Sequence, residues 1–145
     1  MKKYWLLFSL CLLAFSCEVK SQEISYGSDG CSFCKMTIVD PKHAAQIVTT
    51  KGKAFKYDAI ECMLNHLKAW DQAPVELYLV SDYSDSHKLI DAHVAHYLIS
   101  EDISSPMGAN LSAFGNLEEL QKVFVHANGK TLGWNQLLEE FKNKQ

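Results

Sequence analysis

The chain has 145 residues, of which 48% are apolar and 21% are charged, so the composition suits one small globular unit or two very small ones and excludes extended disorder. Its formal net charge is -3 and its pI is near 6.0, with no basic stripe along the sequence. Nucleic acid is therefore not an expected partner.

The first seventeen residues have the pattern of an export signal. Two lysines precede an apolar stretch, residues 4–15, which is too short to span a bilayer comfortably. The stretch leads into Ser16-Cys17, which resembles a bacterial lipobox, in which the cysteine is lipidated and becomes the mature N-terminus. We predict a lipoprotein signal peptide over residues 1–17. The alternatives are a secretory peptide cleaved near Ser16 or an uncleaved anchor.

Residues 18–29 are polar and show no hydrophobic periodicity. This pattern favours a flexible tether between a membrane anchor and a folded body. The protein is then expected in the cell envelope, anchored to a membrane by its lipid and facing the periplasm.

Three sulfur-containing residues, Cys31, Cys34 and Met36, follow the predicted tether within six residues. Thiolate and thioether ligands favour Cu(I), whereas a structural zinc site normally takes four Cys or His ligands. Copper is therefore the first hypothesis, and a structural zinc module is an alternative. The C-x-x-C pair also fits a disulfide or a thiol-disulfide oxidoreductase. Such a redox site normally opens a helix, but residues 36–39 read as a β-rich strand.

The rest of the first half predicts a strand, strand, helix, strand order. Apolar alternation and turn residues predict strands at 36–39, 45–50 and 75–81, with Lys51-Gly52-Lys53 closing the second. Helical spacing of apolar residues predicts a helix over 59–70, capped by Asp58. Cys62 and Met63 fall on this helix and are interpreted as core residues.

The second half partly repeats this order. The pattern predicts short strands at 89–92, 96–99 and 110–114, a helix from 117 to about 126 capped by Asn116, an extended piece at 131–134 and a final helix at 134–142. We therefore predict an α+β fold of two small, similar β-β-α-β units, 30–85 and 86–145. Neither unit is long enough for much core of its own, so the two are expected to pack together or to depend on a bound metal.

Five segments together match one known pattern: Cys-x-x-Cys-x-Met at 31–36, Tyr-Asp-Ala-Ile-Glu-Cys-Met at 57–63, Asp-Ala at 91–92, Pro-Met-Gly at 106–108 and Ala-Phe at 113–114. With these segments the chain from Cys31 to about Phe141 resembles the NosL family of copper-binding lipoproteins, which are accessory to assembly of the copper centres of nitrous oxide reductase. The family commonly has Cys-Gly-Met where this chain has Lys35 as the middle residue.

The resemblance implies Cu(I) bound by Cys and Met side chains. It implies Cys34 as the thiolate and Met36 and Met107 as thioethers, with Cys31 as an added thiolate or a protective partner. A thiolate binds Cu(I) strongly and a thioether more weakly, so a mixed site can hold the ion and still release it. The stiff Pro106 and the permissive Gly108 flank Met107, as expected where a loop presents one side chain.

The implied function is that of a membrane-anchored Cu(I) metallochaperone, with the nitrous oxide reductase apo-protein and its copper-site assembly transporter as partners. The sequence shows no Ser-His-Asp order and no glycine-rich phosphate loop, which favours a binding protein over an enzyme. Asp91, His93 and His96 could bind a second, harder metal if the backbone bends there, but ordinary surface histidines are the favoured interpretation. The remaining histidines are interpreted as surface residues.

Overall fold

The computed structural model describes residues 18–143. The predicted signal peptide and the predicted lipidation site, Cys17, lie outside the described residues. Within the described part of the chain, no helix has both the length and the apolar character needed to cross a membrane.

The first sheet has four antiparallel strands in the spatial order β2-β1-β3-β4. The strands are β1 (Ala45–Thr49), β2 (Ala54–Tyr57), β3 (Val75–Ser81) and β4 (Leu89–Asp91). All five residues of β1 are buried, as expected for a central strand that is covered on both faces. The helix α1 (Ile60–Leu67) connects β2 to β3.

The second sheet has three antiparallel strands in the spatial order β6-β5-β7. They are β5 (His96–Ile99), β6 (Leu111–Phe114) and β7 (Lys130–Leu132), with α2 (Leu117–Phe124) between β6 and β7 and α3 (Trp134–Asn143) at the end. In both sheets the first strand of a β-β-α-β unit lies between the second and the third. The predicted α+β fold of two similar units is confirmed.

Two strands differ from their predicted places. Residues 36–39 form no strand and contribute one isolated bridge, between Gly30 and Thr37. The strand β1 lies between β3 and β2, and β2 was not predicted as a strand. The hairpin β1–β2 forms because the chain reverses at Gly52, whose φ of 77° suits a tight turn. The strand β4, predicted to open the second unit, pairs with β3. The first sheet therefore extends beyond residue 85.

The segment predicted as a tether, residues 18–29, packs on the folded body from Gln22 onward. The buried Gln46 side chain accepts a hydrogen bond from the backbone N–H of Gln22 at 2.8 Å and donates one to its carbonyl at 2.7 Å. Ile24 enters the main core. One buried carboxamide and one apolar side chain thus fix a stretch whose composition alone is typical of a linker.

The two units share one main core. It contains residues from both sheets and from the last helix, among them Ile47, Met63, Tyr97 and Leu137. The helix α1 contacts β1 and β2 of the first sheet, β6 of the second, and α3. The units therefore pack together, which was one of the two arrangements expected from their small size.

A buried histidine also joins the two units. His43, interpreted from sequence as a surface residue, is only 3% exposed. Its Nδ1 lies 2.7 Å from Asp40 Oδ2, and its Nε2 lies 3.2 Å from Ser112 Oγ on β6. This is an Asp-His-Ser chain, but Ser112 has no exposed surface, so its hydroxyl cannot contact a substrate. These hydrogen bonds connect the turn before β1 to β6 of the second sheet.

Candidate metal centre

Three thiols meet where the first sheet and α1 join. The sulfur atoms of Cys31, Cys34 and Cys62 lie within 4.8 Å of one another, and none of the three is in a disulfide. Cys31 and Cys62 are buried, whereas Cys34 is partly exposed. Within residues 18–143, this is the one group of three or more Cys, His, Asp or Glu side chains close enough to hold a metal ion.

The first two thiols are placed by a loop that closes on itself. The backbone N–H of Cys31 donates to the carbonyl of Met36 at 2.8 Å, and the N–H of Lys35 donates to the carbonyl of Cys31 at 3.1 Å. The N–H of Ser32 donates to Lys56 of β2 at 2.8 Å, which attaches the loop to the sheet. The C-x-x-C pair thus lies inside a tight loop whose two ends are joined by the bridge between Gly30 and Thr37. It does not open a helix, as a thioredoxin-like site would.

Lys35 adopts a left-handed backbone conformation, with φ of 67°. This region favours glycine, because a Cβ atom is crowded there. Lys35, at the position where the resembled family commonly has glycine, therefore holds a conformation that a glycine would adopt without this crowding. The Lys35 ammonium donates to the carbonyl of Ser32 at 2.7 Å, on the exposed side of the loop.

The third thiol comes from the first turn of α1. Asp58, predicted to cap this helix, does not; the N-cap is Ala59, with no side-chain hydrogen bond. The Asp58 carboxylate instead accepts the backbone N–H of Val39 at 3.3 Å. The helix ends at Leu67, earlier than predicted. Cys62 is the third residue of α1 and points to the same place as the two loop cysteines.

Hydrogen bonds to the sulfur of Cys31 stabilise its thiolate. The largest effect is the hydrogen bond from the thiol of Cys62, and backbone N–H groups of Asp58, Cys34 and Phe33 also donate to this sulfur. Together they lower the pKa of Cys31 to about 4. The same interaction with Cys31, followed by burial, raises the pKa of Cys62.

Cys34 behaves differently from Cys31. Burial is the largest influence on it and raises its pKa, although a backbone N–H from Met36 acts in the opposite direction. At neutral pH the cluster therefore holds one thiolate, on Cys31, and two thiols. The cluster thus offers one ready thiolate and two further sulfur atoms, a soft donor set of the kind that Cu(I) prefers.

The two candidate thioethers lie on the surface. Met36 is 54% exposed and is the last residue of the cysteine loop, residues 31–36. Met107 is 43% exposed and lies in a turn on the second unit. The Met107 turn is bound to Glu61, the residue before Cys62: the Ser105 hydroxyl and the Ala109 N–H both donate to Glu61 Oε1. Folding thus attaches this distant turn to the helical turn that carries the third thiol.

Aromatic rings line the cysteine loop on one side. The ring of Phe33, between the two loop cysteines, lies 6.2 Å from that of His66, and His66 lies 5.2 Å from Trp70. The Nδ1 of His66 is 2.8 Å from the hydroxyl of the buried Tyr57. Burial is the main reason that the pKa of His66 is lowered. The positive charge of Lys35 lowers the pKa of His66 further. Aromatic rings and one lysine therefore lie on this side of the site.

The Asp91, His93 and His96 side chains do not form a second metal group in the described part of the chain. Asp91 accepts hydrogen bonds from the backbone N–H of His93 at 2.9 Å and contacts its Nδ1 at 2.8 Å. The His93 ring packs edge-on against Tyr78 and Trp134. His93 thus belongs to a local hydrogen-bonded turn, while His96 opens β5.

Comparison with known proteins agrees with the fold. A NosL family model matches residues 24–141. A crystal structure of the copper chaperone NosL from Shewanella denitrificans superposes with a TM-score of 0.70 and 16% sequence identity, covering 81% of this chain and 95% of that chain. At this identity the likeness concerns the fold. No curated protein matches the chain. From the extent of the family match, the chain belongs to the NosL family.

Proposed function

We propose that this protein is a Cu(I) metallochaperone of the cell envelope that binds copper at the Cys31, Cys34 and Cys62 cluster. The observation that carries the proposal is the meeting of three free thiols from two distant parts of the chain. Sulfur donors select Cu(I), and structural zinc sites usually need four protein ligands. Membership of the NosL family and the likeness of fold to a copper chaperone support it.

We assign Cys34 as the thiolate that copper meets first, because it is the partly exposed member of the cluster. Cys31 supplies a second thiolate that is already ionised at neutral pH. Met36 and Met107 supply exposed thioethers. Cys62 stabilises the charge on Cys31 before copper binds and is the third sulfur within reach of the ion.

Exposed thioethers beside buried thiols suit a carrier. A neutral thioether binds Cu(I) more weakly than a thiolate, so a ligand of a partner protein can replace it. The carrier takes copper from a transporter or the periplasmic pool and passes it by ligand exchange, without catalysis. Its client is the nitrous oxide reductase apo-protein, assisted by the copper-site assembly transporter. A lipid on Cys17 anchors it to a membrane, facing the periplasm.

A Cu(I) competition titration with a chromogenic chelator tests the ligands. Cys34→Ser, Met36→Ala and Met107→Ala are each expected to weaken binding by about tenfold or more, since each removes a soft donor. Val94→Ala, which shortens an exposed apolar side chain in the turn between β4 and β5, is the control and should bind as the unaltered protein does. Unchanged affinity in all three sulfur variants would refute the copper site.

Metal removal separates a carrier from a structural metal module. A carrier must receive metal repeatedly, so the protein should keep its circular dichroism spectrum and a cooperative melting transition after chelation. Unfolding on chelation would contradict the carrier.

Transfer to the client is tested by mixing the copper-loaded protein with nitrous oxide reductase apo-protein and measuring copper in each after separation. Retention of all copper by the carrier would contradict this client.

A further inference from the structure

One buried carboxylate holds the turn that carries Met107. Glu61 is only 2% exposed, although glutamate is rarely buried unless it is paired. Its Oε1 accepts the Ser105 hydroxyl and, at 3.3 Å, the backbone N–H of Ala109, while its Oε2 is buried without a hydrogen-bond partner. Burying a carboxylate costs free energy, and the two hydrogen bonds to Oε1 offset part of that cost. Such a costly arrangement points to a role for Glu61 beyond packing.

The turn itself has the sequence that its shape requires. The N–H of Gly108 donates to the carbonyl of Ser105 at 3.0 Å, which closes a four-residue β-turn. Serine first, proline second and glycine fourth are favoured in such turns, and Met107 takes the third position. The Ser105 hydroxyl also accepts the N–H of Asn110 at 2.8 Å. Met107 is therefore at the tip of a well-defined turn.

Glu61 contacts this turn on both sides of Met107. One donor, Ser105, lies two residues before the methionine, and the other, Ala109, lies two residues after it. Both donors converge on a single oxygen of a side chain in the first turn of α1, next to Cys62. A shift of the turn relative to α1 would break both bonds at once.

We propose that Glu61 is a positioning residue for copper binding: its carboxylate fixes the Met107 turn to the start of α1, so that the thioether of Met107 is presented to the thiols that Cys62 joins. The inference rests on the proposed function, in which Met107 is a ligand. A methionine side chain loses considerable rotamer freedom when it is ordered. Holding its backbone beforehand leaves less to be ordered when copper binds.

A double-mutant cycle separates this role from general stabilisation of the fold. Cu(I) affinity is measured by chelator competition for the unaltered chain, Glu61→Ala, Met107→Ala and the double variant. Glu61→Ala should weaken binding by about 10- to 100-fold, as loss of outer-shell contacts does, but should cost little more once Met107 is already alanine. An equal loss in both backgrounds, or no loss in either, would overturn the proposal.

Two further variants guard against a simple folding defect. Glu61→Gln keeps a side-chain oxygen for both donors and should restore affinity close to that of the unaltered protein. Ser105→Ala removes one of the two donors and should give an intermediate loss; if Glu61→Ala does not fold, the cycle is run with Ser105→Ala instead. Glu76→Ala removes an exposed carboxylate on β3 and should leave copper affinity unchanged.

The mobility of the methionine methyl group gives a readout that stability alone does not move. In protein labelled with ¹³C-methyl methionine, the Met107 signal should sharpen in Glu61→Ala, while that of the buried Met63 stays as it is.

If Met107→Ala alone binds copper normally, the ligand assignment fails and the positioning role with it. If Met107→Ala weakens binding and Glu61→Ala does not, only the role of Glu61 is refuted.

Discussion

The two β-β-α-β units share a topology but differ at the helix that follows their second strand. In α1, five consecutive residues, Ile60 to Leu64, are buried, and no side chain caps the helix. In α2, Leu120 is the buried residue, and the Asn116 side chain caps the helix by accepting the N–H of Glu118 at 2.7 Å. One helix lies between the sheets, and the other lies on the surface of the second.

This difference shows how the same topology can place a candidate metal site at the start of one helix and not at the start of the other. The start of α2 is determined locally by its asparagine cap, whereas the start of α1 contacts the cysteine loop, with the N–H of Asp58 and the thiol of Cys62 donating to Cys31. Substitutions at the start of α1 should therefore change copper binding, and those at the start of α2 should change stability alone.

The largest effect is expected at the buried thiolate. Cys31→Ser replaces the sulfur that receives three backbone N–H groups with a hard oxygen of similar shape, and should weaken Cu(I) binding more than about 100-fold, beyond what outer-shell changes cost. Chelator competition measures it. Ser32→Ala, in the same loop, is the matched control and should bind copper normally. Retained affinity in Cys31→Ser would show that the loop is not the site.

The next effect is a dependence of copper affinity on pH. Burial raises the pKa of Cys34, so its thiol is protonated at neutral pH and must release a proton to bind as a thiolate. The dissociation constant should then fall about tenfold per unit rise in pH between pH 6 and 8. Cys31, with its pKa lowered to about 4, is already ionised and adds no slope there.

Cys34→Ser provides the control for this slope. It removes the group that titrates, so affinity should become weaker and nearly independent of pH over the same range. A flat profile in the unaltered protein would show that copper binds Cys34 as a thiol or does not bind it. A slope of two protons would assign a thiolate role to Cys62 as well.

Locally encoded elements of the fold could be predicted from sequence. Asn116 marks the start of α2, and the alternation over Val75–Ser81 marks β3, because caps and strand periodicity are short-range signals. The strand β2 was not predicted, since Gly52 was interpreted as the end of a strand when it is the turn of a hairpin. Choosing between these requires knowing which segment pairs with β1, which is a non-local contact.

The residues of the candidate metal site divide in the same way, into those that a short motif reveals and those that only a non-local contact brings in. Cys31, Cys34 and Met36 are visible as a dense sulfur motif, but Cys62 is surrounded by apolar helical residues, where a cysteine resembles any small core residue. Two hints to Cys62 were present: the odd number of cysteines outside the predicted signal peptide, and its place in the 57–63 segment that helps to carry the family resemblance. The contact from Glu61 to the Met107 turn spans more than forty residues and has no sequence signature.

A smaller effect is expected at the cap of α2. Asn116→Ala removes the side-chain acceptor for Glu118 and should lower the free energy of unfolding by about 1 kcal/mol, measured by urea denaturation. Copper affinity should stay unchanged, because this helix contributes nothing to the thiol cluster. Asn116→Asp retains an acceptor and should preserve stability. A copper defect in Asn116→Ala would contradict the expectation that the start of α2 affects stability alone.

The smallest effect is expected at Lys35, which holds a left-handed conformation in the cysteine loop. Lys35→Gly relieves the crowding of its Cβ and should raise the free energy of unfolding by about 0.5 to 1 kcal/mol, less whatever the exposed bond to Ser32 contributes. Lys51→Gly, in a turn where φ is not positive, should lower stability by a similar amount. Copper affinity should be the same in both, because the backbone hydrogen bonds of Cys31 fix the loop whichever residue stands at 35. A loss of stability in Lys35→Gly equal to that of Lys51→Gly would show that the left-handed conformation costs the lysine no free energy, and that the loop is relaxed around it.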